Sequence, residues 1–383
     1  MRLTRRAVLA SAIATPVRAH AIADPDIATI VTQAIRPVVD RYGIPGMAVG
    51  VIVKGQSHVY DYGVASKATG RPVTADTLFE IGSVSKTFTA TLTAYAQVTG
   101  KLALSDTPGR YLPSLRDSGI DKVTLLNLGT HTPGGFPLQF PDEITDDAQA
   151  TAYFQGWKPT YAPGTYRTYA NPSVGLLGVV AARSLGKDFV TLMEGMLLPG
   201  LGLKHTYLQI PEAAMRNYAQ GYTKAGAPIR MAPGALAAET YGIRATAGDI
   251  LRFVAANMGM LDLDPAVRRA ITDTHTGYYQ AGPMTQDLIW EQYDYPVALK
   301  DLLEGNAGRI ASEATPVTAL RPARPPAEAV WINKTGSTNG FAAYVAFVPK
   351  EQLGIVLLAN RNYPIDARVT AAYEIMTRLG DGR

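Results

Sequence analysis

The sequence predicts an α+β fold: one antiparallel sheet flanked by helices, with a mostly helical domain inserted between its halves. Three observations carry this. Apolar runs of strand length cluster near both ends of the chain, and each end also carries a helix of amphipathic spacing. The middle, from about residue 82 to 275, reads as helices separated by proline and glycine. Inserting those helices between two halves of one sheet is the economical arrangement. The expected division is 1–21 as a leader, 22–81 with 276–383 as a discontinuous sheet domain, and 82–275 as the helical domain.

The leader comes first. Met1–Arg6 is a basic segment, Ala7–Val17 is mostly small or apolar, and Ala19-His20-Ala21 supplies a small-residue cleavage site. Eleven residues at about 1.5 Å each fall well short of a hydrocarbon core of about 30 Å, so no membrane anchor is expected. The stretch Thr4-Arg5-Arg6-Ala7-Val8-Leu9 also fits a twin-arginine signal, and a general secretory signal with adjacent arginines fits equally. Either route predicts export to the periplasm of a mature chain beginning near Ile22.

Next, Ile27, Ile30, Val31, Ala34, Ile35, Val38 and Val39 recur at helical spacing until Gly43 and Pro45. Met47–Val53 and His58–Val64 form a strand pair around Lys54-Gly55-Gln56-Ser57. In the middle, Phe88–Val98 is a helix stopped by Gly100, and Val174–Ala182 one ended by Ser184-Leu185-Gly186. The prolines of Pro316–Glu328 predict an extended connection. Three strands follow, Ala329–Ile332, Phe341–Val348 and Leu353–Ala359, and then a helix with Val369, Ala372, Ile375, Met376 and Leu379 on one face.

Composition removes several functions. The 383 residues are 47% hydrophobic and 18% charged, which fits a chain with a large core rather than a disordered one. There is no cysteine, so disulfides, thiolate metal sites and cysteine nucleophiles are excluded. Four of the 36 basic residues lie in 1–21, and the remaining 32 balance 32 acidic ones. The mature chain therefore has no basic excess with which to bind nucleic acid. The five histidines (His20, His58, His131, His205 and His275) are scattered, read as structural or exposed, and no metal site or other cofactor is expected.

Three short motifs carry chemistry. In Ser83-Val84-Ser85-Lys86 the i, i+3 spacing places a lysine amine beside a serine hydroxyl. A serine at a helix N-terminus also sees unpaired backbone N–H groups. Ser184-Leu185-Gly186-Lys187 has the same form, but a helix ends at Gly186, so it is read as a decoy. Tyr169-Ala170-Asn171 is the only Y-x-N of the chain; beside ammonium groups its phenolate is favoured and becomes a general base. Lys334-Thr335-Gly336-Ser337 follows one predicted strand and precedes another. Lys334 and Gly336 share a strand face, Gly336 lets a ligand lie against the backbone, and the Ser337 N–H can pair with that of Ser83 as an oxyanion hole.

Each motif alone is weak, but together, in this order and 86 and then 165 residues apart, they resemble the serine β-lactamase and penicillin-binding superfamily. Tyr169-Ala170-Asn171, in place of an S-D-N, makes the chain similar to the class C β-lactamases. Phe79–Thr89, Leu138–Asp142, Pro233–Leu236 and Leu357–Pro364 look like further class C stretches. The likeness runs from about residue 25 to the final helix. It implies the β-lactamase/transpeptidase-like form of the α+β fold and a monomer that opens the β-lactam amide through a Ser83 acyl-enzyme, with no cofactor.

On that resemblance, Lys86 and Tyr169 handle the serine proton, and Tyr169 assists the deacylating water. Gln139 and Asn171 contact the amide side chain of the antibiotic, and Tyr241 lines its pocket. Lys334 and Thr335 neutralise and bind the substrate carboxylate, Gly336 lets the substrate lie close, and Ser337 contributes its N–H. Ile365 departs from the asparagine of many class C enzymes. Because it cannot donate a hydrogen bond, the resemblance shifts carboxylate binding to Lys334, Thr335 and Arg368. A D,D-peptidase, a β-lactamase-like esterase and a non-catalytic penicillin sensor are the rival readings. The first two keep the same serine–lysine–tyrosine centre.

Overall fold

The computed structural model describes residues 25–380, so the predicted leader lies outside the described residues. Helix α1 (Pro25–Tyr42) ends where Gly43 takes φ +56°. Strands β1 (Gly46–Val53) and β2 (Gln56–Gly63) follow as a hairpin. The chain then builds α2 (Ser85–Val98), α3 (Asp147–Gly156), α4 (Asn171–Ser184), α5 (Ala247–Asn257) and α6 (Pro265–Asp273), joined by turns and short strands. It returns to the sheet as β3 (Gly277–Ala281), β4 (Met284–Gln286) and β5 (Glu291–Asp294), passes through α7 (Leu299–Gly305), and completes the sheet as β6 (Thr318–Arg324), β7 (Val330–Ser337), β8 (Ala342–Val348) and β9 (Leu353–Ala359). Helix α8 (Ile365–Gly380) closes the fold.

The nine strands lie in the order β6-β3-β4-β5-β7-β8-β9-β1-β2 with antiparallel neighbours. The first hairpin therefore docks on the last strand, from Met47 opposite Ala359 to Ile52 opposite Gly354. Strands β8, β9 and β1 are made of apolar residues and glycine, with Tyr344 the one polar-tipped side chain, because both their faces are covered. Along β8, Ala343, Val345 and Phe347 join the core beneath α5, while Ala342, Tyr344, Ala346 and Val348 join the core beneath α1 and α8. Burying each large apolar side chain contributes roughly 1.5–3 kcal/mol. That is why register here is firmly set: a one-residue slip would exchange both faces at once.

Helix α2 is nearly all buried, yet it carries Thr87, Thr89, Thr91 and Thr93. Their hydroxyls are satisfied by the carbonyls of Val84, Glu239, Thr87 and Thr89, so burial leaves no orphaned donor. Leu92 and Phe88 face the first core and Ala90 and Ala94 a third, helical one with Leu176, Leu177 and Val180 of α4.

Two expectations are revised. Residues 316–328 do not merely connect: Thr318–Arg324 is the outermost strand, paired with β3 through a register shift. Proline is tolerated there because an edge strand does not need every N–H for the ladder. The helical middle also holds the short strands Thr206–Tyr207 and Arg244–Ala245, which form a small sheet with Phe79–Glu80 just before it. At two residues each they are too short to show any alternation.

Candidate active site

The nucleophile segment is a single 3₁₀ turn, Gly82–Val84, running straight into α2. It meets the end of β7 backbone to backbone. A Cβ on Gly82, whose φ is +51°, would lie 2.5 Å from the Ser337 nitrogen, and one on Gly336 would lie 2.0 Å from the Ile81 carbonyl oxygen. Both glycines are required for Ser83 and Ser337 to approach each other. The sequence motifs thus come together at one place: Ser83, Tyr169, Asn171, Gln139, Tyr241, Lys334, Thr335, Gly336 and Ser337 all line one cavity of about 640 Å³. That volume suits a small molecule.

Within it, the Lys86 Nζ donates to Ser83 Oγ at 2.9 Å and to the Thr240 carbonyl at 3.1 Å. Tyr169 is buried, its ring centre 4.9 Å from the Lys334 Nζ and 5.4 Å from the Lys86 Nζ. Its hydroxyl, without a well-aligned hydrogen bond, faces both Ser83 and Lys86. Burial pushes this phenol up, but the ammonium groups of Lys334 and then Lys86 outweigh it and bring Tyr169 down to about 8. Burial likewise lowers Lys86, which Tyr169 opposes and Lys334 reinforces, again to about 8. Burial lowers Lys86 while the ammonium groups lower Tyr169, so both are drawn out of their usual ranges toward neutral pH, which suits a pair serving as base and then acid.

Asn171, the first residue of α4, donates from Nδ2 to the Gln139 Oε1 at 2.6 Å, and its own Oδ1 is buried without a partner. An amide-bearing substrate would meet that pair. Ile365, the first residue of α8, also lines the cavity. Arg368 does not. It is 1% exposed, and its guanidinium donates to the carbonyls of Gly336 at 2.7 Å and Tyr363 at 3.0 Å, to Ser337 Oγ at 3.0 Å and to Asn362 Oδ1 at 2.6 Å. With its donors engaged behind β7, Arg368 holds that strand end from the rear. The decoy separates as expected: the Ser184 hydroxyl bonds the Ala181 carbonyl, and Lys187 is exposed beyond Gly186.

Four functional neighbours were not read from the sequence. Glu291 on β5 pairs with Lys334 at 3.4 Å and with Arg167 at 3.0 Å, all three buried. Burial lowers Lys334, but Glu291 and Tyr169 outweigh it and raise it above the usual lysine range. Arg167 also donates to Gln286 Oε1 and to the Ile310 carbonyl. Lys86, Lys334 and Arg167 against Glu291 leave two positive charges in excess around Tyr169, which is what favours a phenolate. Arg167 ends the short strand Tyr166–Arg167 two residues before Tyr169, the one signal that could have found it. His131 packs on Tyr169 at 4.3 Å between ring centres.

The fourth is Glu80. Its buried carboxylate accepts from the Tyr218 hydroxyl, the Met231 N–H at 2.8 Å and the Thr338 hydroxyl. It thus ties the strand before the nucleophile to two segments that line the cavity, at Met231 and Thr338. Glu80→Ala strands three donors, so denaturant unfolding is expected to show a loss of about 3 kcal/mol, and Glu80→Gln less than half of that. Equal losses for the two variants would mean that packing, not the hydrogen bonds, holds this junction.

A hydroxyl nucleophile with an amine at hydrogen-bonding distance, a phenol poised to ionise, and a glycine-backed strand beside it define a serine acyl-transfer centre. The chain belongs to the Beta-lactamase family, whose model matches residues 31–378. It is 52% identical over 365 residues to a beta-lactamase of Lysobacter lactamgenus, spanning 95% of this chain and 94% of that one. A beta-lactamase of Pseudomonas fluorescens is 50% identical over 92% of this chain and 99% of its own. Among solved structures, a class C beta-lactamase in complex with cefoxitin superposes with a TM-score of 0.90 at 50% identity, over 92% of this chain and 99% of that one. The D-alanine carboxypeptidase AmpC from Burkholderia cenocepacia gives 0.89 at 55% identity, with the same coverage.

Proposed function

We propose that this protein is a class C serine β-lactamase, with Ser83 as the nucleophile. The observation that carries the reading is the Ser83–Lys86 hydrogen bond of 2.9 Å beside a buried Tyr169 set between two ammonium groups. Ser83 Oγ bonds to the lactam carbonyl carbon and gives its proton to the Lys86–Tyr169 pair. The backbone N–H groups of Ser83 and Ser337 hold the oxyanion. The ring C–N bond then breaks, and the pair returns the proton to the leaving nitrogen. In the second half a water, deprotonated by the same pair, attacks the ester carbon; the C–O bond breaks and Ser83 regains its hydrogen.

Lys334 and Thr335 take the substrate carboxylate, with Gly336 allowing close approach, while Gln139 and Asn171 hold the amide side chain and Tyr241 borders it. Arg368 serves this site by fixing β7 rather than by touching substrate, and Ile365 adds an apolar wall. The reading includes export, removal of Met1–Ala21 and action as a periplasmic monomer. No helix among the described residues is long and apolar enough to cross a membrane.

The test is turnover of a chromogenic cephalosporin by the purified protein. Many turnovers per molecule are expected; a stoichiometric burst that stops would mean a peptidase or a sensor. The likeness to the D-alanine carboxypeptidase supports a second reading on the same centre, so a D-alanyl-D-alanine peptide is the companion substrate.

The pH dependence follows from the charges. Tyr169 must lose its proton to act as base and sits near 8, so kcat/KM is expected to fall as pH drops below about 8. Lys334 is the strongest influence lowering Tyr169, and Lys334→Ala therefore moves this acid limb to higher pH. A limb that stays in place in Lys334→Ala would contradict the assignment.

A further inference from the structure

We propose that His131 is the positioning residue for Tyr169, holding the N–H groups of its two chain neighbours, Thr168 and Ala170. This rests on the reading of Tyr169 as the proton-handling group. The His131 carbonyl accepts the Thr168 N–H at 2.8 Å, and its ring Nδ1 accepts the Ala170 N–H at 3.3 Å. One residue thus holds the N–H groups of both residues that flank Tyr169. Its imidazole also packs on the phenol, with ring centres 4.3 Å apart and planes inclined by 37°.

The backbone of His131 is shaped for this, with φ +57° at a position where the chain turns back after the helix Leu125–Gly129. Flanking bonds fix the loop: Thr132 donates its N–H to Asn127 O, and Gly164 donates to Thr132 O. The 131–132 and 164–168 segments therefore form one clamped unit that carries Tyr169 to the cavity.

The ring must stay neutral to do this. Accepting at Nδ1 places the proton on Nε2, and that Nε2 is buried without a partner. A protonated imidazole would have no lone pair for the Ala170 N–H. Burial, and then the charges of Arg167, Lys334 and Lys86, hold His131 well below the usual histidine range. The groups facing Tyr169 itself are Lys334, Lys86, Ser83, Arg167 and Glu291. Among these, a neutral, rigid ring fixes the phenol without adding another charge.

The decisive experiment compares His131→Phe and His131→Asn in the whole enzyme, with Tyr169→Phe as control, by kcat and KM across pH and by thermal melting. Phenylalanine keeps a ring but offers no acceptor. Asparagine presents an acceptor oxygen near the Nδ1 position and tolerates positive φ. His131→Phe is expected to lower kcat about tenfold with KM within about twofold, as for a misplaced catalytic group. A phenol displaced from the two ammonium groups also moves the acid limb up by at least about half a pH unit. His131→Asn is expected to recover most of kcat and to keep the limb within about 0.2 unit of the parent.

A merely structural histidine would lower the melting temperature and leave the limb and kcat unchanged, which overturns the proposal. So does a His131→Asn protein as impaired as Tyr169→Phe, and this arm decides the matter if His131→Phe does not fold. If Tyr169→Phe itself retains full turnover, the failure lies instead in the reading of Tyr169.

Discussion

Replacing Ser83 by alanine is expected to lower kcat/KM by at least about four orders of magnitude, while Ser184→Ala leaves it within about twofold. The contrast comes from geometry, since both serines stand three residues before a lysine. Ser83 accepts from the Lys86 Nζ at 2.9 Å and opens onto the cavity. Ser184 ends α4, bonds its own helix at the Ala181 carbonyl, and is followed by a lysine in solvent. Removing Ser83 Oγ leaves no atom to carry the acyl group, and the loss belongs in kcat. On the proposed reading Gln139, Asn171 and Lys334 still bind substrate in this variant, so equilibrium binding of a cephalosporin is expected to change little. A Ser83→Ala protein with substantial turnover would rule out the covalent route.

Replacing Arg167 by methionine is expected to lower the free energy of unfolding by about 3–5 kcal/mol. Arg167 is 1% exposed and its partner Glu291 4%. Truncation strips Glu291 of its shorter ion pair and leaves Gln286 Oε1 and the Ile310 carbonyl without their donor. It also removes one of the two excess positive charges around Tyr169, so kcat/KM is expected to fall as well. Because Glu291 also pairs with Lys334, the double variant Arg167→Met/Glu291→Gln, which removes the carboxylate charge but keeps an acceptor for that ammonium, should recover part of the loss if the buried charge causes the destabilisation. Additive losses would show instead that packing around the arginine is what matters.

How far the chain could be read depends on the range of the interactions. Leu353–Ala359 was placed residue for residue because a strand buried on both faces writes itself as an unbroken apolar run between turn residues. The elements Ser83, Tyr169 and Lys334 were legible as motifs because each sits beside a helix start or strand whose local geometry demands particular neighbours. Glu291 was not: it stands in Glu291-Gln292-Tyr293-Asp294, and only the pairing of β5 with β7 brings it to Lys334. Glu80 shows the same limit, since its partners Tyr218, Met231 and Thr338 lie 138 to 258 residues away. A sequence gives no direction to the Arg368 guanidinium, and carbonyls of β7 and Tyr363, rather than the cavity, claim it. The sequence likewise gives no direction to the His131 ring, one of five scattered histidines that read as structural or exposed.

The account turns on an ester that forms at Ser83 and is then released. Its most direct test is intact-protein mass measurement during a reaction with a few equivalents of cephalosporin, with the adduct located by peptide mapping. The predicted result is a single acyl adduct on the peptide containing Ser83 that appears early and disappears as substrate is exhausted, leaving the protein at its original mass. An adduct on another residue, or hydrolysis in Ser83→Ala at the parent rate with no adduct at all, would contradict the mechanism. An adduct on Ser83 that persists after the substrate is gone would contradict the assignment as a β-lactamase.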